Sequence, residues 1–279
     1  MFELKSGDKT LSLASPIVMA IINVTPDSFS DGGQHATFES ACQQVDKVIS
    51  QGAKIVDIGG ESTRPGAIAV TLEEELARVI PVIEYTAQNH DVWISIDTSK
   101  PQVMEKAVSA GAHIINDVRA LQEPGALAMA TMLDVPVCLM HMQGQPKDMQ
   151  DSPEYDDVIQ QVNDFLSLRV DYCLAAGMSR ENIILDPGFG FGKTLEHNYQ
   201  LLAKLPELHS LHFPVLVGLS RKSMIGDLLQ RDINNRLAGS LAGAMIAAQQ
   251  GAQIIRVHDV EETVDALTVM SATMASLHN

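Results

Sequence analysis

The chain has little cysteine, few positive charges and no long hydrophobic run, and each shortage excludes something. Three cysteines in 279 residues, Cys42, Cys138 and Cys173, form no C-x-x-C pair. An odd count without ligand spacing argues against a disulfide framework or a structural zinc site and fits a reducing cytoplasm. Each lies in an apolar segment, where a thiol packs as a small hydrophobe. Only 19 Lys and Arg stand against 35 Asp and Glu, a net charge of −16. A nucleic-acid groove or an anionic membrane surface needs a basic footprint that this balance does not supply. The longest apolar stretches, such as Ile17 to Ile22 and Leu241 to Ala248, fall well short of the roughly 18 residues a membrane span requires. The opening MFELKSGDKT has neither the apolar core of a signal peptide nor an Arg-rich amphipathic pattern. A soluble cytoplasmic protein without nucleic-acid or membrane partners is expected.

What the chain does contain is an alternation. Eight short runs rich in Val, Ile and Leu end in polar residues and are followed by helical periodicity: 18–24, 54–59, 92–97, 113–118, 136–141, 182–187, 214–220 and 254–259. Nearly continuous apolar strands are buried on both faces, the pattern of parallel strands covered by helices. Phe38, Ala41, Cys42, Val45, Val48 and Ile49 fall on one helical face and Gly52 follows as a stop. Thr71 to Glu74 is a capping box, and Ser99 with Pro101 marks another helix start. Eight strands alternating with helices predict one (β/α)₈ TIM barrel domain over residues 1–279, with a short hairpin at Glu3 to Leu13 turning at Gly7-Asp8 and closing the barrel bottom.

In such a barrel chemistry collects at the C-terminal ends of the strands. Those ends carry Asn23, Glu61 to Arg64, Asp97, Asn116, His141, Asp186, Ser220 to Lys222, Arg256 and His258. So many polar ends are more than loop anchoring requires. NVTPDSFSDGG after the first run and GGESTRPGA after the second are loops by their turn residues; either alone also reads as an ordinary surface loop. GFGFGKT at 188–194 is neither a P-loop nor a dinucleotide fingerprint, because Pro187 and Lys193 stand where glycines are needed. Its glycines serve either close approach to a flat ligand or simple flexibility. Ser220, Arg221 and Lys222 at a helix start make a candidate anion site. Arg256 and His258 alternate along the last run, so both point to one side, as ligand groups or as a rim pair.

In chain order, INVTPDSFSDGG, DIGGESTRPGA, ISIDTSKP, INDV, ILDPGFGFGKT, GLSRKSMIG and RVHDV resemble the successive strand-end motifs of bacterial dihydropteroate synthases, over almost the entire chain. Ala20 where a Gly is usual and Met224 where Phe is common depart at packing positions.

The resemblance implies a transferase of folate biosynthesis that condenses (7,8-dihydropterin-6-yl)methyl diphosphate with 4-aminobenzoate, releasing pyrophosphate. By the same resemblance Asp97, Asn116, Met140, Asp186, Phe191 and Lys222 form the pterin pocket. Asn23, Arg64, Arg256 and His258 match the diphosphate site, with Mg²⁺ on Asn23, while Phe29, Thr63, Pro65, Ser220 and Lys222 match the 4-aminobenzoate pocket. Asp97, Asp186, Lys222 and Arg256 carry the catalytic burden. No covalent nucleophile is needed if diphosphate leaves before the amine attacks. A homodimer is implied as well, as is a place among the targets of sulfonamides, which mimic 4-aminobenzoate. A pterin-dependent methyltransferase would share the acidic pocket but not need the long loop motifs or Lys222, and a pterin carrier would not need the cations.

Overall fold

The structure is a computed structural model that describes residues 2–25, 33–62, 69–144, Met149 and 153–276, with backbone alone at 33–37. Phe29, Thr63, Arg64 and Pro65 lie outside the described residues. A two-stranded antiparallel hairpin, β1 (Glu3–Ser6) and β2 (Lys9–Ser12), opens the chain. Its turn falls at Gly7, whose φ of 55° suits glycine.

Eight parallel strands follow: β3 (Ile17–Asn23), β4 (Ile55–Gly59), β5 (Trp93–Asp97), β6 (Ile114–Asp117), β7 (Val137–Met140), β8 (Ile183–Asp186), β9 (Leu216–Val217) and β10 (Ile254–Val257). Each falls within one of the eight apolar runs or overlaps its first residue. Their order is β8-β7-β6-β5-β4-β3-β10-β9, and a bridge between Leu185 and Val215 joins the two ends into a barrel. The seventh run forms only a two-residue strand. Pro214 has no N–H to donate, and the Val215 N–H is taken by the Gln253 side chain at 2.7 Å.

Helices α1 (Gly33–Ser50), α2 (Leu72–Asn89), α3 (Pro101–Ser109), α4 (Ala126–Leu133), α5 (Val158–Ala175), α6 (Leu195–Ala203), α7 (Ser223–Leu229), α8 (Leu237–Gln249) and α9 (Val260–Ala275) cover the strands. The capping box at α2 is formed in both directions: Thr71 Oγ1 accepts from the Glu74 N–H and Glu74 accepts from the Thr71 N–H, each at 3.2 Å. Pro101 opens α3 as expected, but Ser99 does not cap it. The cap is Lys100, and the Ser99 hydroxyl donates instead to Asp117.

Because side chains alternate along a strand, each strand feeds two cores. One parity, including Val56, Ile58, Ile94, Ile115, Leu139 and Ile255, packs outward against the helices. The other parity fills the barrel. Met19, Ile55, Trp93, Ile114, Cys138, Ile184, Leu216 and Ile254, one from each strand, form an apolar layer with Leu4 and Leu13 of the hairpin segment beneath it. The hairpin therefore plugs the bottom of the barrel. All three cysteines are buried and free, and burial raises each thiol pKa, to about 11 for Cys42 and Cys173. No helix among the described residues is long and apolar enough to cross a membrane.

The plug and the mouth are at opposite ends, so they separate experimentally. Leu4 is fully buried, and Leu4→Ala should cost about 2–5 kcal/mol of stability while leaving ligand affinity at the mouth within about twofold. Urea denaturation paired with ligand titration checks this; a comparable loss in both would mean the plug also shapes the site.

Candidate active site at the barrel mouth

Two residues beyond the apolar layer, the same inward parity gives Ile21, Asp57, Ser95, Asn116, Met140, Asp186, Gly218 and Arg256. Continued once more, it reaches Asn23, Asp97, Ser220 and His258. Strand alternation thus turns one set of positions from hydrocarbon below to polar groups above. Asn23, Gly59, Asp97 and Asn116 are Cα partners in one row across β3 to β6, and Met140 pairs with Asp186 across β7 and β8.

The centre of the polar layer is Arg256. Its Nε donates to Asp57 Oδ2 at 2.6 Å and its Nη2 to Asp97 Oδ2 at 2.8 Å, so one edge of the guanidinium spans two carboxylates. Asn116 Nδ2 donates to the same Asp57 oxygen at 3.1 Å. Burial pushes the Asp97 pKa up to about 7; Arg256 opposes the shift, and the charge of Asp57 adds to it. Asp57 was not among the residues singled out from the sequence, because it lies two positions before a strand end inside IVDIG. Its parity with Ile55 was the available signal.

Asp186 is buried, and burial raises its pKa against the pull of Lys222 and a 2.7 Å hydrogen bond from the Gly188 N–H. Lys222 donates to the Phe189 carbonyl and sits 4.4 Å from the centroid of the Phe191 ring; burial lowers its pKa to about 8. Met140 is buried beside Asp186 and Phe191 is half-buried. Asp97, Asn116, Met140, Asp186, Phe191, Lys222 and Arg256 therefore share one end of the barrel.

The GFGFG loop packs closely against the backbone beside it. Gly188 has φ 70°, and a Cβ there would lie 1.9 Å from the His141 carbonyl oxygen; at Gly192, φ 60°, it would lie 2.3 Å from that of Gln143. Lys193, a failed P-loop lysine by sequence, is a buried staple. Its Nζ reaches His141 Nδ1 at 2.9 Å and the carbonyls of Gly188 at 2.9 Å and Phe191 at 3.0 Å. Burial, aided by Lys193, lowers the His141 pKa to about 2, so its ring is neutral beside the lysine.

The anion site expected at Ser220 to Lys222 takes a different form. Arg221 is ion-paired with Asp259, which withdraws it as a ligand cation. Ser220 Oγ accepts from the His258 N–H at 3.1 Å and lies 3.1 Å from His258 Nδ1, so these two residues, read separately from the sequence, form one unit. Nor is the floor a positive cluster. Asp57, Asp97 and Asp186 face Arg256 and Lys222, so carboxylates outnumber cations. Among the described residues no group of three or more His, Cys, Asp or Glu could hold a metal ion. Two grooves on the outer helices, one at Leu76, Ile80 and Pro81 and one at Leu127, Phe165 and Leu168, show no such convergence of buried polar groups.

Buried carboxylates and an amide, with Arg256 and Lys222 among them, thus converge at one end of a parallel barrel, beside a glycine-rich loop that carries Phe191. Comparison with known proteins gives the class directly: residues 19–258 match the family of pterin binding enzymes. A dihydropteroate synthase of Escherichia coli K12 is 57% identical over 270 residues, 97% of this chain and 96% of that protein. The crystal structure of Yersinia pestis dihydropteroate synthase with a sulfonamide drug superposes with a TM-score of 0.94 at 56% identity, covering 98% of this chain and all of the other. That of Xanthomonas albilineans dihydropteroate synthase with 4-aminobenzoic acid gives 0.93 at 52% identity, with 98% of each chain covered. The chain belongs to the dihydropteroate synthase family. It is a transferase that joins (7,8-dihydropterin-6-yl)methyl diphosphate to 4-aminobenzoate, giving 7,8-dihydropteroate and pyrophosphate.

Asp97 makes the floor sensitive to pH. In the folded protein it loses its proton near pH 7 instead of near 3.8, so between those values the folded state holds a proton the unfolded chain has released. Its contribution to stability is present at low pH and lost as pH rises to about 7. Asp97→Asn removes that dependence, and the stability of the variant relative to the unmodified protein should rise from pH 4 to pH 7 and level off above. Denaturation at pH 5 and pH 8 checks the sign; an unchanged difference would place the Asp97 pKa near its ordinary value.

Proposed function

We propose that the buried polar floor recognises the pterin edge and stabilises the cation that forms as diphosphate leaves. The observation that carries this reading is the set of acceptors on one strand parity, Asp97, Asn116 and Asp186, with Arg256 anchored among them. A pterin presents adjacent N–H donors along its pyrimidine edge, and carboxylates and an amide oxygen are the groups that meet them. Met140 and Phe191 bound the ring, and Lys222 lies between the ring and the second substrate.

The leaving diphosphate meets the upper rim, where His258 stands against Ser220 and Asn23 ends β3. Arg256 enters this reading with one edge already occupied, so only its remaining N–H groups serve a phosphate. By the motif resemblance, Arg64 serves the diphosphate and Phe29, Thr63, Pro65 and Ser220 serve the 4-aminobenzoate. Mg²⁺ fits this chain as a substrate-borne ion: Asn23 offers a single neutral oxygen, and Mg²⁺ keeps waters and takes phosphate oxygens with few protein ligands. Bound there, it would neutralise charge on the leaving group.

The C–O bond to diphosphate breaks, positive charge spreads into the electron-rich dihydropterin, and the aromatic amine attacks the exocyclic methylene and loses a proton. Asp97 and Asp186 stabilise the developing cation, and the stapled loop excludes water. The three buried thiols support a reducing, cytoplasmic setting. Apolar side chains exposed on α8 and α9, Ile246, Val269 and Met274, support pairing of two copies as a homodimer.

Pyrophosphate release from pterin diphosphate and 4-aminobenzoate by purified protein is the direct test. Asp186→Asn, which replaces an acceptor-only group by one that is half donor, should weaken pterin binding roughly ten- to a hundredfold without lowering the melting temperature by more than a few degrees. Unchanged affinity in the folded variant would remove Asp186 from the pocket. Excess chelator should abolish most turnover and leave the fold intact; full activity with metal verified absent would refute the metal reading.

A further inference from the structure

Asp57 touches neither the rim nor the loop, yet two groups of the floor converge on it. Its side chain is buried, and a charge inside a barrel is stable only when paired and hydrogen-bonded. One oxygen does all of this: Oδ2 accepts from Arg256 Nε at 2.6 Å and from Asn116 Nδ2 at 3.1 Å. Oδ1 has no partner among the described residues, nor has Ser95 Oγ on the register partner of Asp57. Among the described residues the carboxylate is held by Arg256 and Asn116, and Arg256 is held in turn by Asp57 and Asp97.

The chemistry of the three groups fixes a polarity. A carboxylate only accepts, so the Asn116 amide must turn its NH₂ toward Asp57 and its oxygen away. With the amide reversed, two oxygens would face each other in a buried site, at the cost of an unpaired acceptor. We propose that Asp57 is a positioning residue for the pterin: by accepting from Asn116 and Arg256 with one buried oxygen, it commits the Asn116 amide to present an acceptor to the substrate. The proposal rests on the reading of the floor as the pterin pocket. It adds that the donor and acceptor pattern read by the ligand is imposed from beneath.

Exchange of the two side chains tests this, with 6-hydroxymethylpterin as the calorimetric probe. In Asp57→Asn the facing amide can donate or accept, so Asn116 is no longer directed, and affinity should fall roughly ten- to a hundredfold. Combining Asp57→Asn with Asn116→Asp restores an acceptor-only group opposite an amide donor. The second oxygen of the new carboxylate then faces the ligand, and the double variant should bind about tenfold more tightly than Asp57→Asn alone. A purely structural role for Asp57 predicts no such recovery. Asp57→Asn binding as tightly as the unmodified protein, or a folded double variant no tighter than the single one, overturns the proposal. Where Asp57→Asn does not melt cooperatively, neutron diffraction from the unmodified protein decides: deuterons on the Asn116 atom nearest Asp57 support it, and an oxygen there overturns it. Failure of the unmodified protein to bind the probe would instead sink the pterin-pocket reading itself.

Discussion

The mouth of this barrel is organised by a single guanidinium held between two carboxylates. Arg256 on β10 reaches Asp57 on β4 and Asp97 on β5, strands on the far side of β3 from its own. An arrangement of this kind is costly to desolvate and gains its stability from geometry rather than from charge alone. The barrel supplies that geometry. Its strands are pinned by a fully apolar layer below, and the hairpin closes that layer from solvent. The polar groups above then stand at fixed depths set by two-residue steps along each strand.

The layered design also bears on the proposed mechanism, in which a strongly acidic chain holds a substrate that becomes cationic as it reacts. The net charge of −16 is unhelpful to diphosphate, but an acidic interior suits the developing pterin cation. Three carboxylates against Arg256 and Lys222 leave the floor short of positive charge, and burial responds by raising the pKa of Asp97 and Asp186. A ligand offering N–H donors to these groups would favour their ionised forms.

The fold was largely legible in the sequence because parallel strands buried on both faces leave an unmistakable run of branched apolar residues, and all eight runs became strands. The seventh is short, and the Val215 N–H before it is taken by the side chain of Gln253, 38 positions away. Site residues at strand ends were legible for the same reason, since topology alone brings strand ends together. Asp57 escaped because a mid-strand position reads as core, although its parity with Ile55 marked it as inward. Arg221 looked like a ligand cation until Asp259 was found opposite it. Lys193 looked like a phosphate lysine that had lost its loop, when its partners are His141 and two carbonyls of that loop. Long-range pairs of this kind leave no periodic trace. The assignments of Phe29, Thr63, Arg64 and Pro65 rest on motif resemblance and fall outside the described residues.

The proposed pterin floor makes Asp97, whose pKa burial raises to about 7 against the pull of Arg256, the group to watch: if pterin N–H donors meet it, binding should drive off the proton it holds below that pH. Calorimetric binding of a pterin in buffers of different ionisation enthalpy measures that proton directly. At pH 6, below the Asp97 value of about 7, the account predicts release of most of one proton per pterin bound, falling toward none at pH 8.5. Binding enthalpies that do not vary with buffer at pH 6 would contradict it, because Asp97 would then be ionised before the ligand arrives or would not face it.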